Sequence, residues 1–417
     1  MILLYIDPGT GSMLFAILIG IIGTLRYLIK NWIVQMRFSL SGGKKVAVNT
    51  DKIPFVIFSD DKRYWTVFEP VCREFDKRGI DVVYMTASPD DPALNNPYEH
   101  ISAQFIGKNN KAFSKMNFLN ASVVISTTPG LEVYQWKRSK DVQYYVHMLH
   151  AANEAVTYRM FGLDYYDAVL LSGDYQERDI RNLEDLRHLP GKELVMTGIP
   201  YMDSMADRLV DRLAGIERTQ SAVYTVLLAP SWGKSAILSK YGEKIIEELV
   251  KTGYNIIIRP HPQSFTSESA LMEKMMAKYP ESEQLKWNRD NDNFEVLNRA
   301  DIIISDFSGV IFDFALVYDK PVIYADTEFD SSPYDAWWLD YPMWTLSALP
   351  RLGEKLNEEN MDNLKDMIDM CIKDPKYAKG RKEVSEETWK YKGEGAKRVV
   401  DYVLAKYHEI TSVKEEE

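Results

Sequence analysis

The chain has 417 residues, 46% of them hydrophobic, with a formal net charge of −11 and a sequence pI near 5.3. That length accommodates two or three domains with sizeable cores. An acidic chain without a basic tract interleaved with aromatics argues against nucleic-acid binding, yet leaves room for a cationic pocket holding a phosphorylated small molecule, because net charge says nothing about one cleft. The two cysteines, Cys72 and Cys371, stand far apart without metal or redox spacing. They fit buried thiols in a reducing compartment.

The first feature along the chain is an uncharged stretch, Ser12 to Leu25, rich in Leu, Ile, Phe, Ala and Gly. Continued to Ile29 it gives about 18 residues, near the roughly 20 a membrane helix needs. Asp7 precedes it, and Arg26, Lys30, Arg37, Lys44 and Lys45 follow. The positive-inside rule then expects a single-pass anchor over residues 1–38, in a cytoplasmic membrane, with the remainder of the chain in the cytoplasm. A cleaved signal peptide wants positive charge before the apolar run and small residues after it, and both are missing. A helix lying in the membrane interface is the third reading.

After a Ser/Gly/Lys linker at 39–50, apolar runs alternate with amphipathic stretches. Strands are expected at 54–59, 81–87, 122–127, 143–149, 168–172 and 194–197. A charged amphipathic stretch, 203–218, closes this half. The second half repeats the alternation, with strands at 225–229, 255–258, 302–305 and 322–324 and helices at 242–252, 267–278 and 310–318. Alternating β and α segments imply parallel sheets covered on both faces. The expected architecture is α/β, two tandem doubly wound Rossmann-like lobes (46–205 and 220–353) with a cleft between. A charged helical segment, 354–417, carries no strand signal, is expected to pack across the lobes and ends in an acidic tail.

The P-loop, dinucleotide and GxSxG patterns are absent. Four constellations carry polar residues at strand ends. In Tyr145-Val-His-Met-Leu-His150, strand alternation lets only one histidine face a cleft. His147 fits a hydrogen-bonded core residue, and His150 the carboxyl edge. A third metal ligand at suitable spacing is missing, so neither a metal nor another cofactor is expected. Leu228-Ala-Pro-Ser-Trp-Gly-Lys234 ends a strand in a Pro/Gly turn that offers Ser231. In Arg259-Pro-His-Pro262 two prolines stiffen a loop carrying an Arg fork and His261, which suits a pyrophosphate. Asp301-Ile-Ile-Ile-Ser-Asp-Phe-Ser-Gly-Val-Ile-Phe-Asp-Phe314 reads as strand, tight turn and helix. Ser305, Asp306, Ser308 and Gly309 stand at the helix start, where free N–H groups and the dipole favour a phosphate. Such sheets bind ligands at their carboxyl edges. Trp337, Trp338, Tyr341 and Trp344 are read as core or interface.

Together with Leu297-Asn-Arg-Ala-Asp301, Lys320-Pro-Val-Ile-Tyr324, Ala229-Pro-Ser-Trp232 and Thr197-Gly-Ile-Pro-Tyr-Met-Asp203, these pieces resemble the CDP-glycerol glycerophosphotransferases, the GT-B enzymes of teichoic-acid and capsule synthesis. The resemblance spans roughly residues 120–400. It implies a CDP-glycerol or related CDP-polyol donor and a lipid-linked glycan or polymer acceptor. It implies His150 as the base on the acceptor hydroxyl, and His261 with Arg259 on the donor phosphates. Ser305, Asp306 and Ser308 match the phosphate-binding turn. The sequence departs from the family after His150. A His-Gly-Thr-Pro-Leu-Lys type loop is usual there, and this chain has His-Ala-Ala-Asn-Glu. A GT-B glycosyltransferase using a nucleotide sugar and a non-catalytic scaffold remain the alternatives.

Overall fold

The computed structural model describes residues 52–214 and 223–412. The expected anchor and the linker after it lie outside these residues. Among the described residues no helix is long and apolar enough to cross a membrane.

Two all-parallel sheets carry the fold. The first comprises β1 (Ile53–Ser59), β2 (Val82–Thr86), β3 (Ile101–Phe105), β4 (Ala121–Ser126), β5 (Val142–Met148), β6 (Ala168–Leu171) and β7 (Glu193–Met196). Their spatial order is β3-β2-β1-β4-β5-β6-β7. The second comprises β8 (Thr225–Leu228), β9 (Asn255–Ile258), β10 (Leu285–Trp287), β11 (Ile302–Ser305), β12 (Val322–Ala325) and β13 (Gly353–Leu356), in the order β10-β9-β8-β11-β12-β13. The central strands β4, β6 and β11 are buried along their whole length, which explains why they read as continuous apolar runs rather than alternating ones. In both sheets the order reverses beside the first strand, between β1 and β4 and between β8 and β11. Loops leaving those strands diverge and open a crevice.

The two doubly wound lobes match the expectation. Three strands were not expected. β3 has only Ile101 buried, and β10 has three residues, so neither gives a strong apolar run. β13 overturns the reading of 354–417 as strand-free. Gly-Glu-Lys-Leu has no apolar pattern and pairs with β12 along the second sheet's edge. Gly353 is needed there, since a Cβ would meet the Val322 carbonyl oxygen at 2.0 Å.

The C-terminal segment crosses back to the first lobe as expected. Helix α1 (Trp65–Lys77) packs against the last helix, Gly395–Ser412. The Asp203 carboxylate accepts from Trp389 Nε1 (2.7 Å), Gly393 N (2.7 Å) and Gly395 N (2.9 Å), pinning the return segment. Of the four aromatics read as core or interface, Trp344 is buried and stacks on Tyr175 at 3.9 Å. Trp337 and Trp338 instead are 63% and 40% exposed.

Candidate functional site

The two switch points face each other across a cleft of about 990 Å³. From the first lobe it is lined by Arg63 and Tyr64 beyond β1, and by His150, Ala151 and Asn153 beyond β5. From the second lobe come Ser231 beyond β8, Arg259 and His261 beyond β9, and Ser308 and Gly309 beyond β11. Five arginines, Arg63, Arg73, Arg159, Arg208 and Arg259, line this cleft beside four acidic residues, Glu69, Glu154, Asp292 and Asp313.

His150 leaves β5 at the carboxyl edge. Its Nδ1 lies 2.8 Å from Thr127 Oγ1 and 3.1 Å from the Tyr158 hydroxyl. With Nδ1 so engaged, Nε2 is the nitrogen left for a ligand. Burial, and then the charge of Arg63, pushes the imidazole down to about 4, so it is neutral at pH 7. His147 is fully buried. Its Nε2 lies 3.1 Å from the same Tyr158 hydroxyl, and burial lowers its pKa well below the ordinary value. It is the core histidine that strand alternation predicts.

His261 sits on the Pro-braced loop. Its Nδ1 accepts the Gln263 backbone N–H at 3.1 Å. That bond requires a bare Nδ1, so in the neutral ring Nε2 carries the proton and can donate to a phosphate oxygen. Burial, then Arg63, lowers this ring to about 3. Arg259 lies beside it with its guanidinium occupied. One arm bonds Asn288 Oδ1, and the other donates to the Asp290 carbonyl at 2.8 Å. Arg259 thus braces the 288–290 loop and has only part of its fork left for a ligand.

Four residues of the Ser/Asp turn divide by depth. Ser308 and Gly309 line the cleft. Ser305 and Asp306 are fully buried beneath it. Ser305 Oγ donates to the Ala229 carbonyl at 2.6 Å, tying β11 to the end of β8. The Asp306 carboxylate accepts from Ser231 N (2.9 Å), Ile237 N (3.0 Å) and Ser308 N (3.2 Å). The pair shapes the 229–237 and 305–309 loops and does not reach the cleft. Burial pushes Asp306 up to about 6 against those three N–H donors. Ser231 lines the cleft and is itself buried, its backbone N–H held by Asp306.

Two further residues line the cleft. Asp313 lies in a five-residue π-helix, Asp313–Val317, that continues the short helix after Gly309. Such bulges concentrate at functional sites. It lines the cleft, accepts from the Tyr201 hydroxyl at 2.6 Å, and burial raises it to about 6. Arg63 follows β1 in a one-turn 3-10 helix, Lys62–Tyr64. A lone arginine in a loop carries no sequence signal. Among the described residues no cluster of three or more His, Cys, Asp or Glu could hold a metal ion.

Residues 95–405 match the family model of the CDP-glycerol:poly(glycerophosphate) glycerophosphotransferases. No curated protein matches by sequence. Among solved structures, the wall teichoic acid polymerase TagF soaked with CDPG aligns with a TM-score of 0.57 at 15% identity, over 93% of this chain and 97% of that one. UDP-GlcNAc 2-epimerase of Methanocaldococcus jannaschii, with UDP-GlcNAc and UDP, aligns at 0.54 and 14% identity, over 85% of this chain and all of that one. At such identities the likeness is one of fold, a GT-B-like pair of lobes.

Proposed function

The chain belongs to the CDP-glycerol glycerophosphotransferase family, and from that premise we propose that it transfers glycerol phosphate, or a related polyol phosphate, from a CDP-activated donor to a hydroxyl of a lipid-linked cell-surface polymer or its precursor. One observation carries the site assignment. His150 from one lobe and His261 with Ser308 and Gly309 from the other line the same cleft.

In this reading the donor pyrophosphate lies against the second lobe. His261 donates from Nε2, and the Ser308–Gly309 turn meets the phosphates at the start of the helical segment. Ser231 and Arg259 complete that side, while Ser305 and Asp306 hold its shape. The acceptor hydroxyl approaches His150 Nε2. The hydroxyl oxygen forms a bond to the glycerol-bearing phosphorus. The bond from that phosphorus to the bridging oxygen breaks, its electron pair leaves on CMP, and the proton passes to His150. Catalysis then rests on positioning and charge stabilisation, as phosphoryl transfer generally does. The apolar run at 12–29 serves as a membrane anchor in this reading, keeping the site beside a lipid-borne acceptor.

The test is CMP release from CDP-glycerol by the detergent-solubilised full chain, beside His150→Ala and His261→Ala. Turnover in wild type and its loss in both variants is expected, with a phosphodiester in the product. A glycosidic product from a nucleotide sugar would replace the reading with glycosyl transfer. Failure to bind either donor would leave a scaffold.

A further inference from the structure

The cation that bears most strongly on both cleft histidines is not Arg259. After burial, the largest influence on His150 and on His261 alike is the charge of Arg63, and Arg259 ranks behind it even at His261. Geometry agrees. Arg63 stands over the Tyr64 ring at 5.3 Å, and that ring lies 5.0 Å from the ring of His150. Arg63 lines the cleft. Its backbone N–H is capped by Asp61 Oδ1 at 3.0 Å, which fixes the turn. The same carboxylate is 3.4 Å from Nε, and Nε is buried with no hydrogen bond among the described residues. Arg259, by contrast, spends its guanidinium on Asn288 and Asp290.

Arg63 also lies upstream of residue 95, where the family match begins. The family pattern therefore says nothing about it. We propose that Arg63 is a catalytic residue of the acceptor lobe, its guanidinium binding the non-bridging oxygens of the phosphoryl group while that group passes from CMP to the acceptor hydroxyl.

The inference rests on the transferase reading above. The transferred phosphorus has to pass between His261, on the donor side, and His150, on the acceptor side. A planar fork in the same cleft can meet two non-bridging oxygens at once, which a point charge does not. A cation fixed where the group is in flight contacts those oxygens better in the transition state than in the bound donor, which is what raises kcat.

The experiment measures CMP release by the full chain with Arg63→Ala and Arg63→Lys, together with CDP binding and the melting midpoint. Wild type should turn over. Arg63→Ala should keep CDP binding and lower kcat by about 10²- to 10³-fold with KM for CDP-glycerol changed by less than about threefold. Arg63→Lys should recover only part. In Arg63→Ala the acid limb of kcat/KM should move to higher pH, because the cation depressing both rings is gone. Retained kcat, or a loss confined to KM, would overturn the role of Arg63 and leave the transferase reading standing. A wild type that releases no CMP would overturn both. If Arg63→Ala does not fold, the Lys variant decides by the same kcat-against-KM criterion.

Discussion

The side-chain amide of Asn153 donates across the cleft to the carbonyl oxygen of Phe307 at 3.1 Å. The loop that departs from the family pattern after His150 is therefore docked on the turn that presents Ser308 and Gly309. A Cβ built on Gly309 would meet Asn153 Oδ1 at 2.8 Å and the Ala151 Cβ at 3.1 Å. The small residues of that loop and the glycine of the turn fit each other.

Gly309→Ala should therefore force the two lobes to shift by part of an ångström. Misplacement on that scale costs up to about 10²-fold in rate. We expect a fall in kcat/KM of that order, with partial recovery in the Gly309→Ala/Asn153→Ala double variant, where one of the two obstacles is removed. Steady-state kinetics of CMP release checks both.

The histidines give a pH signature. Burial and the charge of Arg63 push His150 down to about 4 and His261 to about 3. The acid limb of kcat/KM, which reports the free enzyme, should lie below about pH 5. Bound pyrophosphate brings negative charge that favours imidazolium. The acid limb of kcat should accordingly lie at higher pH than that of kcat/KM. Coincident limbs would remove His150 and His261 from contact with the anion.

Asp306→Asn tests the buried carboxylate. Both of its oxygens accept backbone N–H groups, and an asparagine replaces one acceptor by a donor. At least one buried N–H loses its partner, at a cost of about 1–3 kcal/mol. Denaturant unfolding at pH 8 should show that loss. At pH 5, below the value of about 6 for Asp306, the wild-type carboxyl is mostly protonated and free of the cost of burying its charge, whereas the asparagine does not titrate, so the difference should widen.

Tyr201→Phe removes the 2.6 Å bond to Asp313, leaving Asn293 Nδ2 at 3.3 Å as its remaining hydrogen-bond donor among the described residues. Asp313 is held up near 6 by burial. A raised carboxyl favours the fold while protonated and works against it once ionised, as pH rises from about 4 through 6. The variant should raise that pKa further, so its stability penalty should grow from pH 5 to pH 8. Thermal melts at the two pH values measure it.

The sequence by itself determined the two doubly wound lobes, because buried parallel strands such as β11 are built on continuous apolar runs, here Ile302 to Ile304, and alternate with helices. It also indicated which strand-end loops bring polar side chains together. His150, Arg259, His261 and the 305–309 turn all follow strands that reach a carboxyl edge. Strands β3, β10 and β13 were illegible, since short or edge strands gain their stability from a neighbour rather than from their own pattern. Only the tertiary structure decided which polar residues face the cleft. Ser305 and Asp306 stand two residues and one residue before Phe307, yet burial turns them into braces while Ser308 and Gly309 line the site. Arg63 and Asp313 join that site across the lobes, and such a meeting depends on packing between segments hundreds of residues apart, which no local residue pattern encodes.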